Sequence, residues 1–203
     1  TEEKSTKKLD GTLKVVTTGD AYQPLFDKFT EEVGPKVEFI SMSSGEVLSK
    51  LKAEGGTPAA DLWFGGGIDA FMDAKDNNLL EKVDFDAADE LSPDFKDSDN
   101  YWFSKGVTVV GFIVNNDILK EKGLEAPKTW DDLTKEEYQG EVLMSNPAIS
   151  GTNYAVVNAL LQTKGQDEGW KYFEALNKNV DYYSKRGSDP STKTAAGEVG
   201  IGI

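Results

Sequence analysis

The sequence of 203 residues contains neither cysteine nor histidine. Without cysteine there are no disulfides and no thiol catalysis, and without histidine there is no Ser-His-Asp triad. Zinc sites of the usual kind need one or both of these residues. No apolar run approaches the roughly 20 residues that cross a bilayer, so we expect no direct insertion into a membrane.

Positive charge is also scarce, because 22 Lys and Arg residues face 36 Asp and Glu residues and leave a formal net charge of −14. This balance disfavours nucleic acid or an anionic membrane as a partner. A small anionic ligand remains compatible, since a local group of donors can outweigh the global charge. The 38% of hydrophobic residues is enough for a packed globular core.

The chain begins with the polar stretch "TEEKSTKKLDGT", which has no apolar segment of the kind found in a signal peptide. We interpret residues 1–10 as the flexible N-terminal tail of a mature chain from which a signal peptide has been removed. The absence of cysteine suits an exported bacterial protein, although many cytosolic proteins share it.

Short apolar runs alternate with segments of helical spacing along the whole chain. The predicted strands are "LKVVTT" (13–18), "VEFISM" (37–42), "ADLWF" (60–64), "VTVVGFIVNN" (107–116), "GEVLMSNP" (140–147), "VDYYSK" (180–185) and "GIGI" (200–203). This alternation predicts an α/β fold with largely parallel sheets.

The acidic segment over 84–100 separates two groups of strand–helix units. We therefore predict a first α/β lobe over 11–106, a crossover strand over 107–116 and a second α/β lobe over 117–203. The final "GEVGIGI" enters a strand, so we expect the second lobe to be truncated and the chain to be a fragment of a longer protein.

Five junctions between a strand and the next helix are small, hydroxyl-bearing or rich in glycine: "TTGD" (17–20), "SSGE" (43–46), "GGGID" (65–69), "SGTN" (150–153) and "RGSDPS" (186–191). Such loops gather at the carboxyl ends of parallel strands, where ligands bind, and helix N-termini favour anions. For any single junction, ordinary helix N-capping is the favoured explanation. The five together favour a ligand-binding cleft.

The one arginine, Arg186, stands beside Gly187 and Ser188 at a predicted strand end. Its planar guanidinium makes it a candidate anion clamp, with a surface salt bridge as an equally good alternative. Tyr182 and Tyr183 alternate across a predicted strand, so only one of them can face a given site. We predict core packing for this pair rather than iron ligation.

The runs "LKVVTTGDAYQPLFDKFTEE", "SSGEVLSKLKAEGGTPAADLWFGGGIDAF" and "NNDILKEKGLEAPKTWDDLTKEEYQGEVLMSNPAISGT" resemble the extracellular solute-binding proteins of ABC importers. The branch is the one that groups ferric-iron, phosphonate and sugar-phosphate binding proteins, and the resemblance covers nearly the whole chain after residue 10. It implies a two-lobed α/β fold like that of type II periplasmic binding proteins, incomplete here at the C-terminus. The implied location is the periplasm or the cell exterior, with membrane anchoring of the native precursor left open.

The resemblance implies that ligand-binding groups fall on the same junctions. They are Thr18, Gly19, Ser43, Ser44, Gly45, Gly66, Gly67, Ser150, Gly151, Thr152, Asn153, Gly187 and Ser188, and the residues themselves add Arg186.

The leading hypothesis is a binding component that captures a small anionic solute, such as a phosphonate or phosphorylated compound, in an interlobe cleft and presents it to an ABC transporter permease. We expect a monomer without catalytic residues, metal or cofactor. Three alternatives stay open: a ferric-iron-binding protein of the same branch, a lobe fragment that works with a second polypeptide, and an enzyme on the same fold. The enzyme would need a general base or nucleophile, for which the sequence shows no recognisable pairing.

Overall fold

The computed structural model describes residues 8–203 and divides into two compact units, of which the first ends at Lys105 and the second begins at Gly106. The tail predicted over 1–10 lies mostly outside the described residues. Of its last residues, Leu9 is held by a backbone hydrogen bond of 2.8 Å from its N–H to the Val33 carbonyl.

The first unit is built on a three-stranded parallel sheet in the order β2-β1-β3. Its elements are β1 (Thr12–Thr17), α1 (Gln23–Val33), β2 (Lys36–Ser41), α2 (Ser44–Glu54), β3 (Leu62–Phe64) and α3 (Ile68–Asp76). Because all three strands run in one direction, the loops that follow them lie at one edge of the sheet, the carboxyl edge. This is where the first three predicted junctions fall.

The central strand β1 is buried on both faces, which explains its continuous apolar run. On one face Val16 packs against Val47 and Leu51 of α2. On the other face, Phe26 of α1 contacts Phe39 with a ring centroid separation of 5.1 Å. The sheet is thus a middle layer between helices, as the strand–helix alternation predicts.

A long loop follows α3 and is tied back to it by an ion pair whose carboxylate is buried. The loop contains short 3-10 turns over Asp86–Glu90 and Pro93–Phe95. Asp97 is only 7% exposed and accepts a hydrogen bond of 2.7 Å from the Lys75 ammonium of α3. The acidic composition of this segment gave no sign that one of its carboxylates is buried.

The second unit contains a four-stranded sheet in the order β4-β7-β5-β6, in which β5 runs parallel to β6 and β7 and β4 runs antiparallel to β7. Its elements are β4 (Ile113–Val114), α4 (Asn116–Glu121), β5 (Val142–Ser145), α5 (Gly151–Lys164), α6 (Gln166–Asn177), β6 (Tyr183–Ser184), α7 (Asp189–Ala195) and β7 (Ile201–Gly202). The carboxyl ends of the parallel strands again share one edge, which carries the other two predicted junctions.

The core of the second unit surrounds β5, all four residues of which are buried. Tyr138 and Tyr172 anchor loops to this core, because their hydroxyls donate hydrogen bonds of 2.6 Å to the Glu125 carbonyl and 2.9 Å to the Trp130 carbonyl. Burial raises the pKa of both phenols, so both remain protonated donors.

Three details of the sequence interpretation are wrong, and the first is the strand predicted over 180–185, which is limited to Tyr183–Ser184. The strand predicted over 107–116 is limited to Ile113–Val114, and Val109 before it is 91% exposed. Strand propensity is expressed only where a neighbouring strand supplies backbone partners, and the described partner β7 pairs with just these two residues. Tyr182 and Tyr183 are 45% and 41% exposed, so neither packs in the core.

The α/β class with parallel sheets is confirmed in both units. None of the helices described is long and apolar enough to cross a bilayer.

Candidate functional site

The three loops at the carboxyl edge of the first unit touch one another. The Gly67 N–H donates to Oγ of Ser44 over 3.2 Å, which joins the loops after β3 and β2. A Cβ placed on Gly65 would lie 2.7 Å from Oγ1 of Thr18, so the loop after β1 meets the same loop. The structure therefore brings Thr18, Ser44, Gly66 and Gly67 of the predicted set together.

The triple glycine after β3 is explained by backbone conformation and by this close approach. Gly65 and Gly66 have φ of +90° and +134°, which side-chain-bearing residues rarely adopt. A Cβ on Gly66 would also stand 2.9 Å from Oγ of Ser44. Gly67 has φ of −80° and is the ordinary N-cap of α3.

The other predicted ligand-binding residues of the first unit differ in whether hydrogen bonds within the protein already use their polar groups. The Ser43 hydroxyl and Glu46 form a capping box at α2, in which the Ser43 N–H donates to Oε2 of Glu46 over 2.9 Å. Ser43 is therefore occupied by the cap. Gly45 lies in the first turn of α2, and its carbonyl accepts from Oγ of Ser49. A Cβ on Gly19 would meet nothing within 4 Å, so its backbone faces open space.

In the second unit, the loops after β5 and β6 meet in the same way. A Cβ on Gly187 would lie 2.5 Å from Oγ1 of Thr152 and 3.2 Å from Oγ of Ser150. Ser150 is the N-cap of α5, and its hydroxyl accepts from the Asn153 N–H over 3.4 Å. Gly151 is buried within the first turn of the same helix.

Asn153 lies in the interior of the second unit, where its side chain supports the fold. Its side chain is fully buried, and Nδ2 donates to Oγ of Ser145 and, over 3.4 Å, to the Ile203 carbonyl. The amide thus joins the end of β5 to the residue after β7, while its Oδ1 has no donor within residues 8–203. We assign Asn153 to the support of the site rather than to its surface.

Arg186 is half-buried at the start of a tight turn before α7. Its N–H donates to Oδ2 of Asp189 over 3.0 Å, and the Asp189 N–H donates back to the Arg186 carbonyl over 3.1 Å. This reciprocal pair fixes the backbone of Gly187 and of the exposed Ser188, both at the carboxyl edge.

Sequence reasoning missed two residues of the first-unit site, Tyr22 and Lys105. The Lys105 ammonium donates to the Tyr22 hydroxyl over 2.5 Å and lies 4.4 Å from the centroid of the Tyr22 ring and 5.4 Å from that of Phe64. The position of Tyr22 at the site could have been predicted, since it follows the junction "TTGD" within one turn. Lys105 carried none, because no junction is near it in the sequence.

Two carboxylates in the first turns of α2 and α3 are held by local hydrogen bonds. Besides Glu46 in its capping box, Asp69 lies in the first turn of α3. Burial raises the pKa of Asp69, and the N–H groups of Asp69 and Ala70 partly oppose that rise. Within residues 8–203, no group of three potential metal-ligating side chains lies close enough to hold a metal ion.

An apolar groove of about 520 Å³ lies elsewhere on the second unit, between α5, α6 and β6. Trp170, Phe173 and Tyr183 are among its lining residues. None of the predicted site residues lines it, although Asn146 and Pro147 of the loop after β5 do.

Comparison with known proteins identifies the family. Residues 24–203 match the model of the bacterial extracellular solute-binding protein family. The chain belongs to this family. The resemblance stated from the sequence is thereby confirmed.

Among solved structures, the chain is similar to the periplasmic binding protein AfuA from Actinobacillus pleuropneumoniae with exogenous fructose-6-phosphate bound, with a TM-score of 0.90 and 32% identity over 95% of this chain and 63% of that one. This similarity confirms the predicted fold of the periplasmic-binding-protein type.

Two curated relatives are also similar. An uncharacterised protein from Haemophilus influenzae is 34% identical over 180 residues, which are 86% of this chain and 52% of that protein. The phosphoglycerate transport regulatory protein PgtC from Salmonella typhimurium is 36% identical over 96 residues, which are 46% of this chain and 24% of that protein. The chain thus spans about half the length of the first of these relatives and a smaller part of the second.

Proposed function

We propose that the protein is the solute-binding component of an ABC importer and captures a small anionic solute that carries a phosphoryl or phosphonate group. The observation that carries this proposal is the convergence of polar and glycine-rich loops at the carboxyl edge of each unit. In the first unit it is seen in the Ser44–Gly67 hydrogen bond, and in the second in the approach of Gly187 to Thr152.

The chemistry of these loops suits a ligand rich in acceptor oxygens. Hydroxyl groups of Thr18, Ser44 and Thr152, backbone N–H groups and the cations Lys105 and Arg186 are donors at these edges. Hydrogen bonds from charged donors to an anion contribute about 1.5–3 kcal/mol each, roughly twice the value of neutral ones. The fructose-6-phosphate in the AfuA structure and the phosphoglycerate in the name of PgtC support the same class of solute.

The proposed role is capture and delivery rather than conversion. It places the protein in the periplasm or outside the cell, with the permease of the transporter as partner. The alternative of an enzyme on the same fold differs in one observable, since an enzyme would change the solute. Phosphorus NMR of a ligand after prolonged incubation with the protein should show it unaltered, and new resonances would favour the enzyme.

Thermal unfolding of the purified chain against a panel of solutes tests the proposal. The panel is 2-aminoethylphosphonate, fructose 6-phosphate, 3-phosphoglycerate, inorganic phosphate, sulfate and ferric citrate, with fructose as the uncharged control. A solute at a hundred times its dissociation constant adds about 2.7 kcal/mol to stability. A chain of this length should then melt about 5–11 °C higher.

We expect a shift with at least one phosphorus-containing solute and none with fructose. A shift with ferric citrate alone would contradict the proposal and favour the iron-binding alternative. Equal shifts with fructose and its phosphate would show that the phosphoryl group is not recognised.

A further inference from the structure

Lys105 places a cation at the carboxyl edge of the sheet of the first unit. Lys105 is exposed, and within residues 8–203 no carboxylate oxygen lies within 4 Å of its ammonium. Its stem passes the triple glycine, because Cε lies 3.4 Å from the point where a Gly65 Cβ would stand. The side chain is therefore part of the same loop cluster as Thr18, whose Oγ1 lies 2.7 Å from that point.

Tyr22 holds this ammonium in place and adds a donor of its own. The Tyr22 hydroxyl accepts one N–H of Lys105, and its ring lies under the ammonium at 4.4 Å. A phenol that accepts through an oxygen lone pair keeps its own proton for a further acceptor. The ring is fixed in turn by Phe64 of β3, with centroids 5.1 Å apart and the planes nearly perpendicular.

The next glycine of the loop, Gly66, has a separate set of polar groups around it. Nε1 of Trp63 is buried and finds no acceptor among the described residues, although a buried N–H without a partner is costly. This nitrogen lies 3.5 Å from the point where a Gly66 Cβ would stand, and Oγ of Ser44 lies 2.9 Å from the same point. The Lys105 ammonium and the hydroxyls of Thr18 and Tyr22 are all donors, and a tetrahedral oxyanion with several terminal oxygens is the acceptor that matches them.

We propose that Lys105, held by Tyr22, is the residue of the first unit that selects the phosphoryl or phosphonate group of the solute. The proposal rests on the function proposed above and deepens it by assigning the charged end of the solute to this unit. Lysine acts as a point charge with several N–H donors, which suits a phosphoryl group whose oxygens are spread around one phosphorus.

Calorimetric titration of the full chain with inorganic phosphate, 2-aminoethylphosphonate and fructose 6-phosphate tests this assignment. Lys105→Met keeps the apolar stem and removes the charge, and it should weaken binding of these probes about tenfold or more. Lys8→Met is the matched control. Lys8 is exposed and precedes β1, at the opposite edge of the same sheet, so its loss should leave affinity within about twofold.

Two conservative variants separate charge from packing. Lys105→Arg keeps the cation and should retain most of the affinity, whereas Tyr22→Phe keeps the ring but removes the hydroxyl and should cause a smaller loss than Lys105→Met. Melting temperatures of all variants show whether the fold is intact. If Lys105→Arg weakens binding as much as Lys105→Met, the side chain acts through packing and the assignment is wrong.

The outcomes also separate this inference from the proposed function. If the wild type binds a phosphoryl probe and Lys105→Met binds it equally well, the function stands and the assignment to Lys105 falls. If the wild type binds none of the three probes, the proposed function falls and the assignment falls with it.

Discussion

At the scale of single residues, the absence of one carbon atom decides how closely two loops approach. Gly187 lies where a Cβ would come within 2.5 Å of Oγ1 and 2.9 Å of Cβ of Thr152. Gly19 has the opposite surroundings, since nothing lies within 4 Å of its Cβ position and its φ of −169° is ordinary extended backbone. The two glycines therefore form a matched pair for substitution.

We expect Gly187→Ala to lower the stability of the chain by about 1–3 kcal/mol, as overpacking does, because the loop after β6 must move away from α5. Gly19→Ala should change stability by less than about 0.5 kcal/mol. Urea unfolding of both variants checks this. Equal stability of the two would show that the approach of Gly187 to Thr152 is loose.

Arg186 tests whether the second unit also contributes a cation to binding. Arg186→Ala should weaken binding of a phosphoryl solute more than tenfold, since a charge-assisted hydrogen bond contributes about 1.5–3 kcal/mol. Arg186→Lys should recover part of that loss, because the charge remains while the bidentate geometry is gone. Affinities of both variants within twofold of that of the wild type, measured by calorimetry, would show that Arg186 does not contribute to binding of the solute.

How much of the site the sequence could reveal depends on whether a residue's role is local. Ser43 and Ser150 could be recognised as N-caps from the sequence, because the residues that define an N-cap lie within four positions of the start of the helix. The same locality explains why capping occupies their hydroxyls. Lys105 could not be found, because its contact with Tyr22 spans 83 positions in the sequence. Asn153 was chosen for its place in a loop motif, whereas its burial depends on the distant Ile203.

At the scale of elements, the ion pair between Lys75 of α3 and Asp97 holds the long loop of the first unit to its last helix. Burial alone would raise the pKa of Asp97, but hydrogen bonds from Lys75 and from the N–H groups of Tyr101 and Asp99 outweigh it and hold the pKa below its ordinary value. Lys75 also pairs with the exposed carboxylate of Asp99 over 2.7 Å.

This arrangement predicts an acid-sensitive contribution to stability. The unfolded chain takes up the Asp97 proton more readily than the folded one, so the contribution is present above about pH 4 and is lost as the pH falls below that value. Asp97→Asn should cost about 1–3 kcal/mol at pH 7, because it leaves the ammonium and nearby N–H groups with a weaker acceptor.

Asp99→Asn is the control for the same lysine and should cost less than about 1 kcal/mol, as exposed pairs do. Urea unfolding at pH 7 and pH 3 should show the difference between wild type and Asp97→Asn shrinking at the lower pH. A difference that is unchanged or larger at pH 3 would contradict a lowered pKa of Asp97 in the folded chain.

Elements were predictable where their pattern is local and strong. The strands of the first unit begin and end within two residues of the predicted positions, since β1 and β2 are each shifted by one residue and β3 begins two residues later. The exceptions lie in the second unit, where the strands predicted over 107–116 and 180–185 each give two residues of strand. Apolar and β-branched residues favour a strand, but a neighbouring strand decides whether the segment joins a sheet.

At the scale of the whole molecule, a net charge of −14 opposes the approach of an anionic solute. Screening limits this opposition, because the Debye length is about 8 Å at physiological ionic strength. Under the proposal, cations close to the loops outweigh this more distant charge, Lys105 in the first unit and Arg186 in the second. The acidic composition is therefore compatible with an anionic ligand, as the proposed function requires.

The central claim is that these loops recognise a phosphoryl or phosphonate group, and the most direct test is calorimetric titration of the wild-type chain with fructose 6-phosphate and 2-aminoethylphosphonate beside their counterparts without phosphorus, fructose and ethylamine. The account predicts saturable 1:1 binding of at least one of the phosphorus-containing solutes, at least about a hundredfold tighter than that of its counterpart. Equal affinity within each pair, or no binding of either phosphorus-containing solute, would contradict it.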